Sequence, residues 1–191
     1  MSNVFGFDPR REILIFETEK WNPQRVDLLD VVVSVLYSPT STNDARKEAN
    51  LLLTEFQNHP GAWRLSSGII EFSKSEPTKH LALQILGNFT KKNWLSLAEN
   101  EQSEVRVFLC NTCLEYSKHN SANALTLSNR NTSGSSAVLS KLNQCLVFVV
   151  LHDWLSENWD GFVGELLATG RNDIGVFSNN LKILTLISEE V

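Results

Sequence analysis

AWRLSSGIIEFSKSEPTKHLALQILGNFTKKNW, residues Ala62 to Trp94, is the stretch that decides the fold. It reads as two amphipathic helices joined by a tight connection at Lys74–Pro77. In the first, Leu65, Ile69 and Phe72 recur at i, i+4 and i+7. In the second, Leu81, Ile85 and Phe89 recur at i, i+4 and i+8, and Ala82 and Leu86 widen the stripe. Pro77 stands where a helix can begin, because its missing N–H would have had no partner there. Neither helix can hold an apolar face in water alone, so the pair needs further pairs beside it.

The flanking sequence supplies them. Val26 to Tyr37 is apolar almost all round and long enough for a buried helix. Residues 1–25 give a mixed signal: Ile13 to Phe16 suit the start of a short helix, and Asn22-Pro23 breaks it. Ser41-Thr-Asn-Asp44 resembles a capping box, followed by a stripe of Ala45, Ala49, Leu52, Leu53 and Phe56. Ser103 to Lys118 puts Val105, Phe108, Leu109, Thr112 and Tyr116 on one face. The polar residues 119–136 read as a flexible surface loop. Ala137 to Leu155 follows as a long helix with Val138, Leu142, Leu146 and Val149 as its spine, and its LVFVVL run (146–151) should be buried on both sides. Trp159, Phe162, Val163, Leu166 and Leu167 then repeat at helical spacing, with Gly170 as the stop. Val176 to Val191 closes the chain, with Phe177, Leu181, Leu184, Ile187 and Val191 in phase.

That last helix carries no stop signal, and a solenoid normally seals its final repeat with a polar surface. The expectation is an N-terminal part of something longer, or a truncated product. Hairpins recur at about the 40-residue period of HEAT-type arrays. The fold class expected is therefore all-α, an α-α superhelix of about four hairpins with an open C-terminal end; a compact helical bundle is the alternative.

Bulk composition narrows the function. The chain has 191 residues, a formal charge of -5, 42% hydrophobic and 20% charged residues, which suits a folded domain or short array. An acidic chain is a poor match for nucleic acid or an anionic membrane. No 18-residue apolar run is present, so no membrane insertion is expected. The N-terminus lacks the order of a signal peptide, and three cysteines argue against a secreted disulfide scaffold. The sequons at Asn88 and Asn131 are accordingly read as chance.

The remaining motifs are weak. Cys110 and Cys113 form a C-x-x-C, but a structural zinc needs four ligands, and only Cys145 and His119 lie near in sequence. These are read as core or groove cysteines. His152-Asp153 has no accompanying nucleophile elbow and is read as a surface helix end. Glu189-Glu190 is read as a helix face. Gly134 and Gly164 stand alone, so there is no phosphate loop, and the five tryptophans have no basic groove to serve as a base-stacking platform. No cofactor, metal or catalytic residue is expected.

Several blocks together carry a resemblance. LLDVVVSVLY (28–37), HPGAW (59–63), IIEFS (69–73), LQILGNFTKKNW (83–94), KLNQCLVFVVLHDW (141–154) and NNLKILTLISEEV (179–191) fit in order and spacing. The chain resembles the N-terminal region of the exportins, nuclear export receptors of the importin-β superfamily. It departs at Leu155 and Asp160, where the family has proline after each tryptophan, and at Gly87, where it has a larger residue. The resemblance covers most of Val26–Val191, so residues 1–25 are left as an extension and 26–191 as a HEAT-repeat array.

What the resemblance implies is a shuttling transport receptor of nucleus and cytoplasm, not an enzyme. Its partner would be the small GTPase Ran in its GTP form. Cargo with leucine-rich signals would bind only if later repeats are present, and nuclear pore proteins are a further partner class. The inner helices facing Ran would be 42–58, 77–94 and 136–155. Their candidate contacts are Lys47 and Asn50 on the first, His80, Gln84, Asn88 and Lys91 on the second, and Lys141 and Gln144 on the third. Gly87, read on the same outward face, would admit a partner backbone closely. The alternatives are that these are ordinary solvated faces, and that the chain is a HEAT-repeat scaffold for other proteins or another importin-β-type receptor.

Overall fold

A computed structural model describes residues 5–16, 22–125, 132–155 and 161–190. Among these residues every regular element is helical and there is no strand. The helices are α1 (Pro9–Ile13), α2 (Pro23–Tyr37), α3 (Asn43–Asn58), α4 (Ser66–Phe72), α5 (Glu76–Asn93), α6 (Glu99–Leu125), α7 (Thr132–Leu155), α8 (Phe162–Thr169) and α9 (Ile174–Glu190). The all-α class expected from the sequence is what forms. The chain divides into two compact units, residues 1–86 and 87–191, and each has its own core.

In the first unit, α2 begins where a break was expected. Asn22 is its N-cap, accepting from the Arg25 N–H, and Pro23 occupies the first turn. An Asn-Pro pair ends one segment and starts the next with the same chemistry. Helix α2 is also less uniformly buried than its composition suggests: Val26, Leu29, Val32 and Val33 face inward, while Val31 and Tyr37 are exposed. The cap of α3 is Thr42, whose hydroxyl accepts from the Ala45 N–H, so the expected capping box does not form. The stripe behind it is as read: Ala45, Ala49, Leu52, Leu53 and Phe56 are all buried.

The N-terminal segment belongs to this core. Asp8 caps α1, which ends at Ile13 instead of starting there. Ile13 is fully buried, Phe16 stacks on His59 at 3.5 Å, and Arg10 pairs with Glu55 at 2.6 Å. The α4–α5 turn is tied down from a distance by Asp30 of α2, which accepts from Ser73 Oγ at 2.7 Å and the Lys74 N–H at 3.1 Å. Ser66 of α4 donates to the Ala82 carbonyl of α5, which satisfies a fully buried hydroxyl at the helix–helix contact.

In the second unit, α6, α7, α8 and α9 pack together. Helix α6 continues to Leu125 and α7 starts at Thr132, so most of the loop expected over 119–136 is helix. Polar composition does not by itself oppose a helix; residues 126–131 lie outside the described ones. The spine of α7 is as read, with Val138, Leu142, Leu146 and Val149 buried, and the LVFVVL run is buried on both sides except at Phe148 and Leu151, which are half-buried. Trp159 lies outside the described residues; of the motif it opened, Phe162 and Leu166 are buried and Leu167 is exposed.

Helix α9 is rotated from the expected phase. Its buried face is Val176, Asn179, Asn180, Ile183 and Ile187, whereas Phe177 and Leu181 are exposed. Two asparagines go inward because they find partners there. Asn179 and Asn143 of α7 exchange reciprocal amide bonds at 2.7 and 3.0 Å, and Asn180 Nδ2 donates to the Leu166 carbonyl at 2.6 Å. Gly170 ends α8 with an ordinary φ of -75°, so no left-handed turn calls for it. It is needed for room: a Cβ there would meet the Phe177 Cα at 3.2 Å.

Candidate functional site

The strip of α5 proposed for a partner is exposed. His80, Gln84, Asn88 and Lys91 all face solvent, spaced by one helical turn apart. The strip is narrow, because Leu81, Ala82, Leu83, Ile85, Leu86, Gly87 and Thr90 are buried. Polar side chains were the right guide to it, and Gly87 was not. Gly87 is buried, and a Cβ on it would sit 3.0 Å from Cys145 Sγ of α7. Its role is helix–helix approach, not partner approach: the glycine lets α5 and α7 pack where an Ala would already be tight.

Within residues 87–191 α5 and α7 meet through Lys91 and Phe148. Lys91 Nζ stands 5.0 Å over the Phe148 ring, and Lys141 Nζ donates to Gln144 Oε1 at 3.2 Å. Lys141, Gln144 and Phe148 follow each other at i, i+3 and i+7, so they share one side of α7. Phe148 is a residue the sequence reading missed as part of this face, having assigned it to an apolar run. Its spacing from Lys141 and Gln144 was the available signal. Beneath this face the Cys145 thiol is pushed up to about 12 by burial, with Lys141 pulling the other way. A thiol so held stays protonated and is inert.

On α3, in the other unit, Lys47 and Asn50 are exposed, and the Asn50 carbonyl accepts from Thr54 Oγ1 at 2.7 Å. Leu51 beside them is also exposed. All eight candidates are therefore at the surface or half-buried, and Asn88, Lys91, Lys141 and Gln144 fall within one unit. Within residues 87–191 the chemistry presented is the ammonium groups of Lys91 and Lys141 and the amides of Asn88 and Gln144, with Lys91 set over the half-buried Phe148 ring. Ammonium groups and amide N–H donors are complementary to carboxylates and carbonyl oxygens.

Behind it the corner after α5 is locked. Trp94 is 1% exposed and donates from Nε1 to Asp153 Oδ1 at 2.8 Å. Arg106 of α6 donates to Asp153 Oδ2 at 2.6 Å and to Oδ1 at 3.2 Å, and its guanidinium lies 5.5 Å from the Trp94 ring. Gln102 completes the set by donating to the Trp94 carbonyl at 2.9 Å. Asp153 is thus the buried centre of an ion-paired network, not the surface helix end expected of His152-Asp153. Cys110 and Cys113 lie on α6; burial, with Glu165 adding to it, raises the Cys110 thiol to about 11 and burial holds Cys113 higher still. Among the described residues no group of three His, Cys, Asp or Glu is placed to hold a metal, and no helix is long and apolar enough to cross a membrane.

Comparison with known proteins shows what the chain is similar to. Residues 49–115 match the Importin-beta N-terminal domain, and residues 135–191 match Exportin 1-like protein. The chain is 31% identical to exportin-1 of Dictyostelium discoideum over 169 residues, 88% of this chain and 15% of that protein. It is 28% identical to exportin-1 of Drosophila melanogaster over 166 residues, 87% of this chain and 14% of that one. Exportin-1 of Schizosaccharomyces pombe is 29% identical over a stretch of the same extent, 166 residues. The chain spans about 15% of the length of the curated relatives it matches. It belongs to the importin-β family and, within that family, is similar to the exportin-1 proteins over the region that carries the Importin-beta N-terminal domain.

Proposed function

We propose that this chain is the Ran-GTP-binding part of a nuclear export receptor, one that carries proteins with leucine-rich signals from nucleus to cytoplasm by shuttling through the pore. Residues 26–191 would be its helical array, and the contact residues would be Lys47, Asn50, His80, Gln84, Asn88, Lys91, Lys141 and Gln144. The observation that supports this best is the exposed strip of α5 with Lys91 set over Phe148 next to the Lys141–Gln144 pair. It is a polar, cation-bearing face; α5 falls within the residues that match the Importin-beta N-terminal domain, and most of α7 within those that match Exportin 1-like protein. Cargo loading would be coupled to Ran binding through further repeats of a longer protein. The chain acts by binding, with no chemical step of its own.

The test is capture of the 191-residue chain on Ran loaded with GTP or with GDP. Binding to the GTP form alone is the expected result, because the switch loops of such a GTPase are ordered only with the γ-phosphate present. Equal binding to both forms, or to neither, favours a HEAT-repeat scaffold for other proteins. Lys91→Glu with Lys141→Glu should weaken GTP-form binding by about tenfold or more, the scale of losing charged rim and core contacts together. Unchanged binding would reject those two sites without touching the family.

A further inference from the structure

The second unit contains a cavity of about 170 Å³ between α6, α7, α8 and α9, lined by none of the residues of the proposed Ran face. Its walls include Leu114 of α6, Phe162 and Leu166 of α8, and Ile183 of α9. Several of the polar donors around it are already engaged. Asn180 Nδ2 donates to the Leu166 carbonyl and to Thr169 Oγ1, the Thr169 hydroxyl to the Leu166 carbonyl, the Ser117 hydroxyl to the Cys113 carbonyl, and the Asn179 amide to Asn143. What is left to meet a guest is chiefly carbon. Glu165 at the wall adds negative charge, and no lysine or arginine lines the space.

We propose that this cavity is a binding site for a small uncharged ring compound, of the size of phenol or a monosubstituted benzene. The size fits: a pocket of about 150 Å³ lined by Leu, Ile and Phe takes up benzene. The binding force is burial of ring carbon and dispersion against the walls. The Glu165 carboxylate and the lack of a lining cation disfavour an anion of the same shape. Because the walls come from four helices, a bound ring also ties α9 to α6, α7 and α8, and stabilises the folded unit by mass action.

Phenol is the probe, and benzoate the control. Titrated into the full chain and followed by thermal unfolding and amide NMR, phenol should bind saturably with Kd below about 1 mM, a value within reach of a ligand of this few atoms. Benzoate should bind at least about tenfold more weakly. Phenol should also slow alkylation of Cys110 by N-ethylmaleimide, read by peptide mapping, since Cys110 lies in the wall and is less buried than Cys113 or Cys145. Leu114→Phe, which places a ring in the space, should cost phenol about tenfold or more in affinity. The proposal is overturned if benzoate matches phenol, if phenol leaves Cys110 alkylation unchanged, or if a folded Leu114→Phe chain binds phenol normally. Should that variant fail to fold, protection of Cys110 in the unaltered chain decides the matter.

Discussion

At the scale of single residues, Gly87 and the three cysteines set the sharpest expectations. A Cβ on Gly87 would press on Cys145 Sγ at 3.0 Å. Gly87→Val should therefore lower unfolding stability by about 1–3 kcal/mol, the ordinary cost of overpacking, as read from urea denaturation. A neutral result would mean that α5 and α7 do not approach as described. The glycine was visible in the sequence as an anomaly in a good helix. Its partner was not, because the thiol it makes room for lies far along the chain. The thiols carry a pH prediction. Cys110 is raised from 9.0 to about 11 and Cys145 to about 12, both mainly by burial, so the folded state keeps protons that the unfolded chain gives up. Stability is then fully present below about pH 8.5 and falls as pH climbs toward those folded values, by about 1.4 kcal/mol per pH unit for each thiol in its window. Denaturation midpoints at pH 8, 9 and 10 check this, and serine in place of Cys110 should flatten the slope.

Elements are held by two polar devices that no periodicity reveals. The reciprocal bond between Asn143 and Asn179 is the reason α9 presents Asn179 and Asn180 inward and Phe177 and Leu181 outward. A stripe counted by hydrophobicity alone selects the wrong side of that helix. Asn143→Leu alone should destabilise by about 1–3 kcal/mol, since it strands a buried amide. Adding Asn179→Leu should recover part of the loss, and a double-mutant cycle measures the coupling. The second device is Asp153, bound by Trp94 and Arg106. Asp153→Asn leaves Arg106 short of its partner at a site where the arginine is 21% exposed, so a loss of about 2–4 kcal/mol is expected, below the full value for a completely buried pair. That loss should change little between low and high salt, because the pair is shielded from ions. The stripes of α3 and α7, by contrast, were legible residue by residue, since each helix has a wide apolar face.

For the whole chain, the binding prediction is electrostatic. The chain carries a formal charge of -5, yet the candidate face gathers Lys91 and Lys141, with Lys92 exposed next to them. Attraction between that face and a partner's carboxylates should weaken as salt rises through the range where the Debye length shrinks below about 10 Å. Capture on Ran-GTP at 0.05 M and at about 0.5 M salt should show this, and the Lys91→Glu, Lys141→Glu chain should show a smaller salt effect. Family membership was readable from blocks of sequence spread over most of the chain. Which polar residues stand together was readable only in part: helical spacing put His80, Gln84, Asn88 and Lys91 in line, but Phe148 joins Lys91 through space.

By itself the sequence determined that this chain is all-helical, where most helices lie, which residues form the core stripes of α3 and α7, and which family it joins. Those properties follow from local periodicity and from blocks of residues whose order survives without any knowledge of contacts. Tertiary structure alone decided that Gly87 faces a helix and not a partner, that α9 turns its asparagines inward, and that Asp153 is a buried ionic centre. Each of these rests on one group finding a complementary group distant in the chain, and burial of a polar atom is tolerable only where that match is made.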